Sequence, residues 1–575
     1  MRRLLVVGAA CAALCAAGAV AQESWRAPAA PRVVVVPDVH GAYGELVALL
    51  VATGLVDDEL AWTGGDTVLV SLGDLLDRGG ESRKVIDLLM RLQQTAPARG
   101  GAVHVLLGNH EAMNLIGDLR YVSPAEYAAF AADEPPELRE RAYAEFVRLQ
   151  TEPLPEAASR AAFAERYPPG FFAHRAAFAP DGVYGSWLLT LPAMLVIGDT
   201  AFVHGGVSAH VGEALQVGED VNARIRGRLL EYLDLRARLA SPAPPELRGD
   251  LEARSEALAR LALGPDLGSA SPMWYRGTVY CNPLLEAPVL DAALEGLGAE
   301  RLVVGHTPTA DRRARALYDG RVIMLDTGML AQHYGGRPAA LVIEPGGMHV
   351  RYGDSAAPQP LERGRIEAYG LTDDELRRVL ASGGIELEDG SRDLDPAPAR
   401  VRRGASVVAA VVYRERAAAE LAAHALDRRL GLNLVPPTAA RTVDGRTVAV
   451  QLRYPDAVTE AERIERRVPL GEYCPLEAQW QLLWTFDALA GNTSRTPENV
   501  LYLRETSALK AIEHGRAFGS ARSVRLPDGF SLPDEARAAL AAFDESAAHA
   551  VLDEWLDERR IRALLARRNA LLETR

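Results

Sequence analysis

The chain has 575 residues, 48% of them hydrophobic and 24% charged, with a formal net charge of −14. That length points to two or three domains, and the composition excludes a disordered chain, a collagen and a polytopic membrane protein. The acidic balance, without a long single-sign block, argues against a general grip on nucleic acid or anionic lipid.

Residues 1–21 read as a secretory signal: Arg2 and Arg3, an apolar run from Leu4 to Ala17, and the small-x-small site Ala19-Val20-Ala21. Cleavage after Ala21 predicts a periplasmic or secreted protein with no membrane span left. Of four cysteines, only Cys281 and Cys474 then remain. Far apart in sequence, they read as isolated thiols in different domains, with a disulfide the alternative left open, and they are too few for a thiolate metal cage. Arg26 to Pro31 reads as a leader.

Val33 to Val36 is a continuous apolar run, read as a buried strand, ending in Pro37-Asp38-Val39-His40-Gly41. An amphipathic stretch, Tyr43 to Leu50, follows. Thr67 to Leu72 ends in Gly73-Asp74, and a helical pattern begins near Ser82. Val103 to Leu107 ends in Gly108-Asn109-His110-Glu111. Strand, polar loop and helix in repetition predict an α/β sheet with functional loops at the strand ends. Residues 117–182 read as a helical cap. Met194 to Ile197 and Ala201 to Val203 resume strand character, ending at His204. A polar helical insertion, 217–268, precedes Leu302 to Val304, which ends at His306. Strands near Val322–Leu325, Ala339–Ile343 and His349–Arg351 complete a domain of residues 32–352. Residues 353–365 read as a linker, and 366–575 are long enough for a core of their own.

The strand ends collect Asp38, His40, Asp74, Asp77, Arg78, Asn109, His110, His204 and His306. Hard oxygen donors mixed with imidazole suit a first-row divalent ion such as manganese, iron or zinc. The adjacent glycines permit tight turns and close approach of backbone to a ligand.

At these residues the chain resembles the calcineurin-like metallophosphatases of the phosphoprotein-phosphatase branch, with the Shewanella-like group the nearest fit. The carrying motifs are Asp38-Val39-His40-Gly41, Gly73-Asp74-Leu75-Leu76-Asp77-Arg78-Gly79, Gly108 to Glu111, His204-Gly205-Gly206 and Gly305-His306. Gly64-Gly65-Asp66-Thr67 and Trp274-Tyr275-Arg276-Gly277 also look like that group. Pro37 replaces a glycine, and Leu325-Asp326-Thr327-Gly328 stands where eukaryotic relatives carry S-A-P-N-Y.

The resemblance implies a β-sandwich flanked by helices and two divalent metal ions, with manganese the choice for assay. Asp38, His40 and Asp74 would hold the first metal. Asp74 would bridge to the second, completed by Asn109, His204 and His306. A hydroxide shared by the metals would attack phosphorus without a covalent intermediate. Arg78 and Arg276 would fork onto the phosphate. His110 would protonate the leaving oxygen, oriented by Asp77 with Glu111 in support. The implied substrate is a phosphorylated protein, on tyrosine or on serine and threonine, or a small phosphoester. A symmetric dinucleoside-polyphosphate hydrolase and a non-specific phosphomonoesterase are the competing readings.

Residues 366–575 resemble, in degenerate form, atypical kinases of the phosphoinositide-kinase and secretory-kinase type, implying a second, α+β domain. The resemblance rests on Glu420-Leu421-Ala422-Ala423, Leu430-Gly431-Leu432, Leu434 to Thr438, Phe486 to Leu489, Gly491 to Asn499 and Ile512 to Phe518. Ser494 stands where that family has its catalytic aspartate, Thr496 where it has histidine, and Glu513 where it has a metal-binding aspartate. Val401 to Arg416 holds no lysine. An inactive, pseudokinase-like module that binds nucleotide or a partner is the expectation.

Overall fold

The computed structural model describes residues 25–574 apart from 153, 241–247, 356, 392 and 472. The expected signal segment lies outside the described residues. Two compact units emerge: one of the described residues up to Val279 with Leu290–Arg363, the other of Tyr280–Val289 with Gly364–Arg575. Among the described residues no helix is long and apolar enough to cross a membrane.

The first unit is built on two sheets. Its strands are β1 (Arg26–Ala27), β2 (Val33–Val36), β3 (Val68–Ser71), β4 (Ala102–Val105), β5 (Met194–Ile197), β6 (Thr200–Val203), β7 (Arg301–Val304), β8 (Arg315–Leu317), β9 (Val322–Met324), β10 (Ala339–Glu344), β11 (Gly347–Tyr352) and β12 (Glu362–Arg363). One sheet runs β11-β10-β2-β3-β4, the other β1-β5-β6-β7-β9-β8-β12. Val35, Val70, Leu341 and Val350 of the first pack in one core with Leu195, Phe202, Val303 and Ile323 of the second. The runs are apolar throughout because sheet neighbours and helices such as Tyr43–Ala52 and Ser82–Thr95 cover both faces. The arrangement is a mixed α/β sandwich.

Parallel pairing is what positions the site. β2, β3 and β4 are parallel neighbours, as are β6 and β7. Their C-terminal ends therefore deliver Asp38, Asp74, Asn109, His204 and His306 to the same edge of the sandwich. Helices Pro124–Ala128, Pro136–Arg148, Glu156–Arg166 and Phe171–Ala177 fill the stretch between β4 and β5. Val221–Ala240 and Arg248–Leu263 fill most of the later insertion.

Two readings change here. Arg26–Ala27 is not a leader but an edge strand, parallel to Val196 and Ile197. The segment read as a linker ends in β12, where Glu362 and Arg363 pair with Arg315 and Ala316, and Gln359 bridges to Val350. Two-residue strands carry no periodicity, so composition alone reads them as coil.

The second unit is α+β. An antiparallel five-stranded sheet runs Gly384–Leu387, Ala397–Arg403, Ser406–Tyr413, Arg446–Leu452 and Thr438–Val443. The Asp373–Ser382 and Ala417–Leu430 helices contact its strands. A larger core around Phe486, Tyr502, Phe518 and Phe543 joins a three-stranded sheet to helices including Leu476–Ala490 and Glu558–Glu573. Cys281 and Cys474 are both in this unit, joined as a disulfide with Cα atoms 5.2 Å apart. The expectation of isolated thiols in different domains fails because Tyr280–Val289 packs with the C-terminal half.

Candidate active site

Asp74 is the centre of the site. Its Oδ2 lies 3.2 Å from His204 Nε2 and 3.8 Å from the Nε2 atoms of both His40 and His110. His40, Asp74 and His110, and again Asp74, His204 and His306, bring ligand atoms within 4.8 Å of one another. Asp38 Oδ2 lies 3.9 Å from His40 Nε2, and Asn109 Oδ1 lies 3.0 Å from His204 Nε2. All of these side chains are buried. The structure thus gathers Asp38, His40, Asp74, Asn109, His204 and His306 from five strand ends.

Backbone contacts fix how they point. His40 Nδ1 donates to the Leu76 carbonyl and His204 Nδ1 to the Leu72 carbonyl, each at 2.8 Å. Those bonds fix Nδ1 as the donor and turn each Nε2 towards the site. The amides of Val39 and His40 both donate to the Asp74 carbonyl at 2.9 Å, locking the first two loops together. Asp38 Oδ1 accepts from the His306 amide at 2.8 Å, and Asp74 Oδ1 from the His110 amide at 3.0 Å. His40, Asp74, Asp77, Arg78 and His306 all adopt left-handed backbone, with φ between 48° and 69°. Such geometry in non-glycine residues marks a site shaped by its surroundings.

Glu111 lies beneath the centre. Its carboxylate accepts the amides of Asp74 and Leu75 at 2.8 Å and of Gly108 at 2.9 Å. Burial, then the nearby Asp74 charge, push Glu111 up to about 7. Burial also raises Asp74, but His204, His110 and His40 outweigh it and hold that carboxyl well below the usual range. For His204 burial opposes the charge, yet Asp74 and Asp38 lift the imidazole to about 9. Burial pushes His40 and His306 well down, and Arg276 adds to the effect on His306.

The remaining predicted residues ring this centre. His110 Nδ1 meets Asp77 Oδ2 at 2.5 Å, while Asn114 Nδ2 donates to Asp77 Oδ1 at 3.0 Å. Arg276 donates to the His306 carbonyl at 3.1 Å and to Thr307 Oγ1 at 2.8 Å. Arg78 donates to His40 Nε2 at 2.6 Å and to the Tyr334 hydroxyl. Its guanidinium lies between the rings of Tyr121 and Tyr334, 5.2 and 5.3 Å from their centroids. Tyr121, Tyr334 and Asn114 escape sequence reasoning because no local motif marks them. Asp326, raised to about 6 by burial, sits in Leu325-Asp326-Thr327-Gly328, whose position among the motifs was its one signal.

Residues 31–310 match the family described as calcineurin-like phosphoesterase. The chain carries a calcineurin-like metallophosphatase domain. Over 334 residues it is 28% identical to Shewanella-like protein phosphatase 2 of Arabidopsis thaliana, covering 54% of this chain and 75% of that protein. Shewanella-like protein phosphatase 1 of Plasmodium berghei is 24% identical over 305 residues, covering 53% of this chain and 69% of its own. Among solved structures, a cold-active protein-tyrosine phosphatase of a psychrophilic Shewanella species aligns with 25% identity and a TM-score of 0.41. That alignment covers 59% of this chain and 82% of the other. The protein is a phosphoesterase.

Metallophosphoesterases use divalent metal ions, and the donor set fits them. The six gathered side chains mix carboxylate, amide oxygen and imidazole, as first-row divalent ions require. Both ring nitrogens of His306 are buried without a hydrogen-bond partner among the described residues. A neutral, unpartnered imidazole facing a carboxylate is costly unless a cation completes it.

Proposed function

We propose that the protein is an exported, metal-dependent phosphatase acting on phosphomonoesters of proteins, with phosphotyrosine its preferred class. The observation that carries this reading is the position of Asp74 between two histidine groups. One carboxylate there could serve two metal sites, which Asp38 and His40 would complete on one side and Asn109, His204 and His306 on the other. Two bound divalent ions, manganese in the assay below, would supply Lewis-acid charge and activate water near neutral pH.

The chain's own residues do the rest. Arg78 and Arg276 flank the metal ligands, and planar guanidinium groups suit the oxygens of a phosphate. His110, held by Asp77 through Nδ1, presents Nε2 to protonate the departing oxygen. The rings of Tyr121 and Tyr334 beside Arg78 offer apolar faces to a phenyl ester, which favours phosphotyrosine. Export is supported by the signal-like residues 1–21 and by the Cys281–Cys474 disulfide, since such bonds persist in oxidising compartments.

The second unit reads as an inactive kinase-like module. Ser494 cannot act as a carboxylate base, and its hydroxyl is bound to Asn492 Oδ1 of its own loop at 2.9 Å. A thermal-shift titration of the full chain with ATP and manganese tests nucleotide binding, using a non-nucleotide polyphosphate to separate chelation.

The central test is steady-state hydrolysis of matched phosphotyrosine and phosphoserine peptides and of diadenosine tetraphosphate, with manganese, beside Asp74→Asn. A phosphotyrosine preference abolished in Asp74→Asn is expected. Turnover of the dinucleotide with silent peptides overturns the substrate class, and full activity in Asp74→Asn overturns the shared-ligand mechanism.

A further inference from the structure

The turn that carries Asp77 and Arg78 is held from outside itself, by the inserted helical segment. Asp77 and Arg78 adopt φ of 69° and 67°. Non-glycine residues in this region cost about 1–3 kcal/mol each and persist only where neighbours over-determine them. Three consecutive residues of the turn are gripped by three residues of the insertion. Glu126 Oε2 accepts the Asp77 amide at 3.1 Å. The Tyr121 carbonyl accepts the Arg78 amide at 2.9 Å. Ser123 Oγ donates to the Gly79 carbonyl at 3.0 Å, while capping the helix that carries Glu126.

Of these three, Glu126 stands in the least hospitable place for its chemistry. It is 1% exposed, on a helix beside an aromatic cage. Its Oε1 lies 3.8 Å from His174 Nε2, and neither ring nitrogen of His174 has a hydrogen-bond partner among the described residues. The rings of Tyr127, Phe130 and Phe178 surround His174 with centroids 4.6–5.1 Å away. Burial, then the nearby Asp77 charge, push the Glu126 carboxyl well above its ordinary range. An apolar side chain would be cheaper at such a position. What an apolar side chain could not do is accept the Asp77 amide. Both oxygens of the Asp77 carboxylate are already committed, to His110 and to Asn114. The direction in which that carboxylate leaves the backbone is therefore set by the turn.

We propose that Glu126 is a positioning residue for phosphoester hydrolysis: through the Asp77 amide it holds the left-handed turn that aims Asp77 at His110 and Arg78 into the cleft. The inserted segment is then part of the catalytic framework. The inference rests on the roles of His110 and Arg78 proposed above.

The test uses the full chain with manganese and two substrates, phenyl phosphate and p-nitrophenyl phosphate. The nitrophenolate leaves readily without a proton, so only phenyl phosphate depends strongly on a well-placed acid. Glu126→Met keeps volume but removes the acceptor, Glu126→Gln keeps both, and His174→Phe perturbs the cage without touching the turn. Glu126→Met is expected to lose about 10–100-fold in kcat on phenyl phosphate, and several-fold less on p-nitrophenyl phosphate. Glu126→Gln and His174→Phe should keep the wild-type ratio between the substrates. Equal loss on both substrates, tracking a lowered Tm, or no loss in Glu126→Met, overturns the proposal. If Glu126→Met does not fold, Glu126→Asp, which retracts the acceptor, is read in the same way. His110→Asn separates the two layers. If it too leaves the substrate ratio unchanged, the acid assignment has failed. If it shifts the ratio and the Glu126 variants do not, only the positioning role falls.

Discussion

The Asp77 carboxylate and His110 Nδ1 meet at 2.5 Å with neither side chain more than 2% exposed. If His110 is the acid proposed above, a pair so enclosed would act as one unit: the carboxylate would fix the tautomer and steady the charge that the imidazole carries before it gives up a proton. Asp77→Asn should therefore lower kcat on phenyl phosphate by about 10²-fold, within the range of general-acid contributions. The double variant Asp77→Asn/His110→Asn should be no worse than His110→Asn alone, since groups acting together are not additive. Single and double variants, compared by kcat, check this. A fully additive double variant would separate the two residues.

Glu111 offers a second prediction, about metal affinity. Its two oxygens satisfy three buried amides, those of Asp74, Leu75 and Gly108. Glu111→Ala would leave those donors unpaired, at about 1–3 kcal/mol each. It would also free the Asp74 loop. Manganese affinity is expected to fall about 10–100-fold, as for other supports of metal ligands, with a lower Tm. Glu111→Gln should lie between, because its amide nitrogen must face one of the N–H groups. Calorimetric manganese titration and thermal unfolding read both effects.

These two residues also mark what sequence can and cannot reveal. Asp74, Asp77, His110 and Glu111 lie inside short motifs at the ends of uninterrupted apolar strands, so residue type and spacing suffice to single them out. The α/β sheet with its strand-end loops follows from the same runs, with β2 buried at all four positions, whereas the sandwich is implied only by the family resemblance. Tyr334 is different. It reaches Arg78 from 256 residues away, and only the fold brings its hydroxyl there. Glu126 likewise looks like an ordinary helix-start acid until Asp77 is found above it. β1 escapes because two residues hold no alternation, and the disulfide escapes because Tyr280–Val289 joins the second unit across an intervening stretch of chain.

The disulfide leads to a third prediction. Cys281 and Cys474 are 193 positions apart, and a cross-link over a long loop stabilises chiefly by restricting the unfolded chain, typically by about 2–4 kcal/mol. Dithiothreitol should lower the unfolding temperature of the second unit, and Cys281→Ser/Cys474→Ser should match the reduced wild type. Identical melting of oxidised and reduced protein would show that the bond does not contribute to stability. Because the proposed metal ligands are oxygen and nitrogen donors, manganese binding should survive reduction.

A final prediction concerns acid stability in the second unit. His424 is 7% exposed, and its Nε2 has no hydrogen-bond partner among the described residues. Burial, reinforced by Arg428 and Arg377, pushes its imidazole from 6.5 down to about 3. Between those two values the unfolded chain holds a proton that the folded chain refuses. Its share of stability is complete above about pH 6.5 and is lost as pH falls towards 3, at up to about 1.4 kcal/mol per pH unit. His424→Leu removes that proton uptake at little cost in hydrogen bonding. The variant should thus gain on the wild type progressively as pH drops from 6.5 to 4, while the difference between them stays constant from pH 7 to 8. Thermal unfolding of both full-length proteins across that range measures it, and a difference independent of pH below 6.5 would mean that His424 is protonated in the folded state.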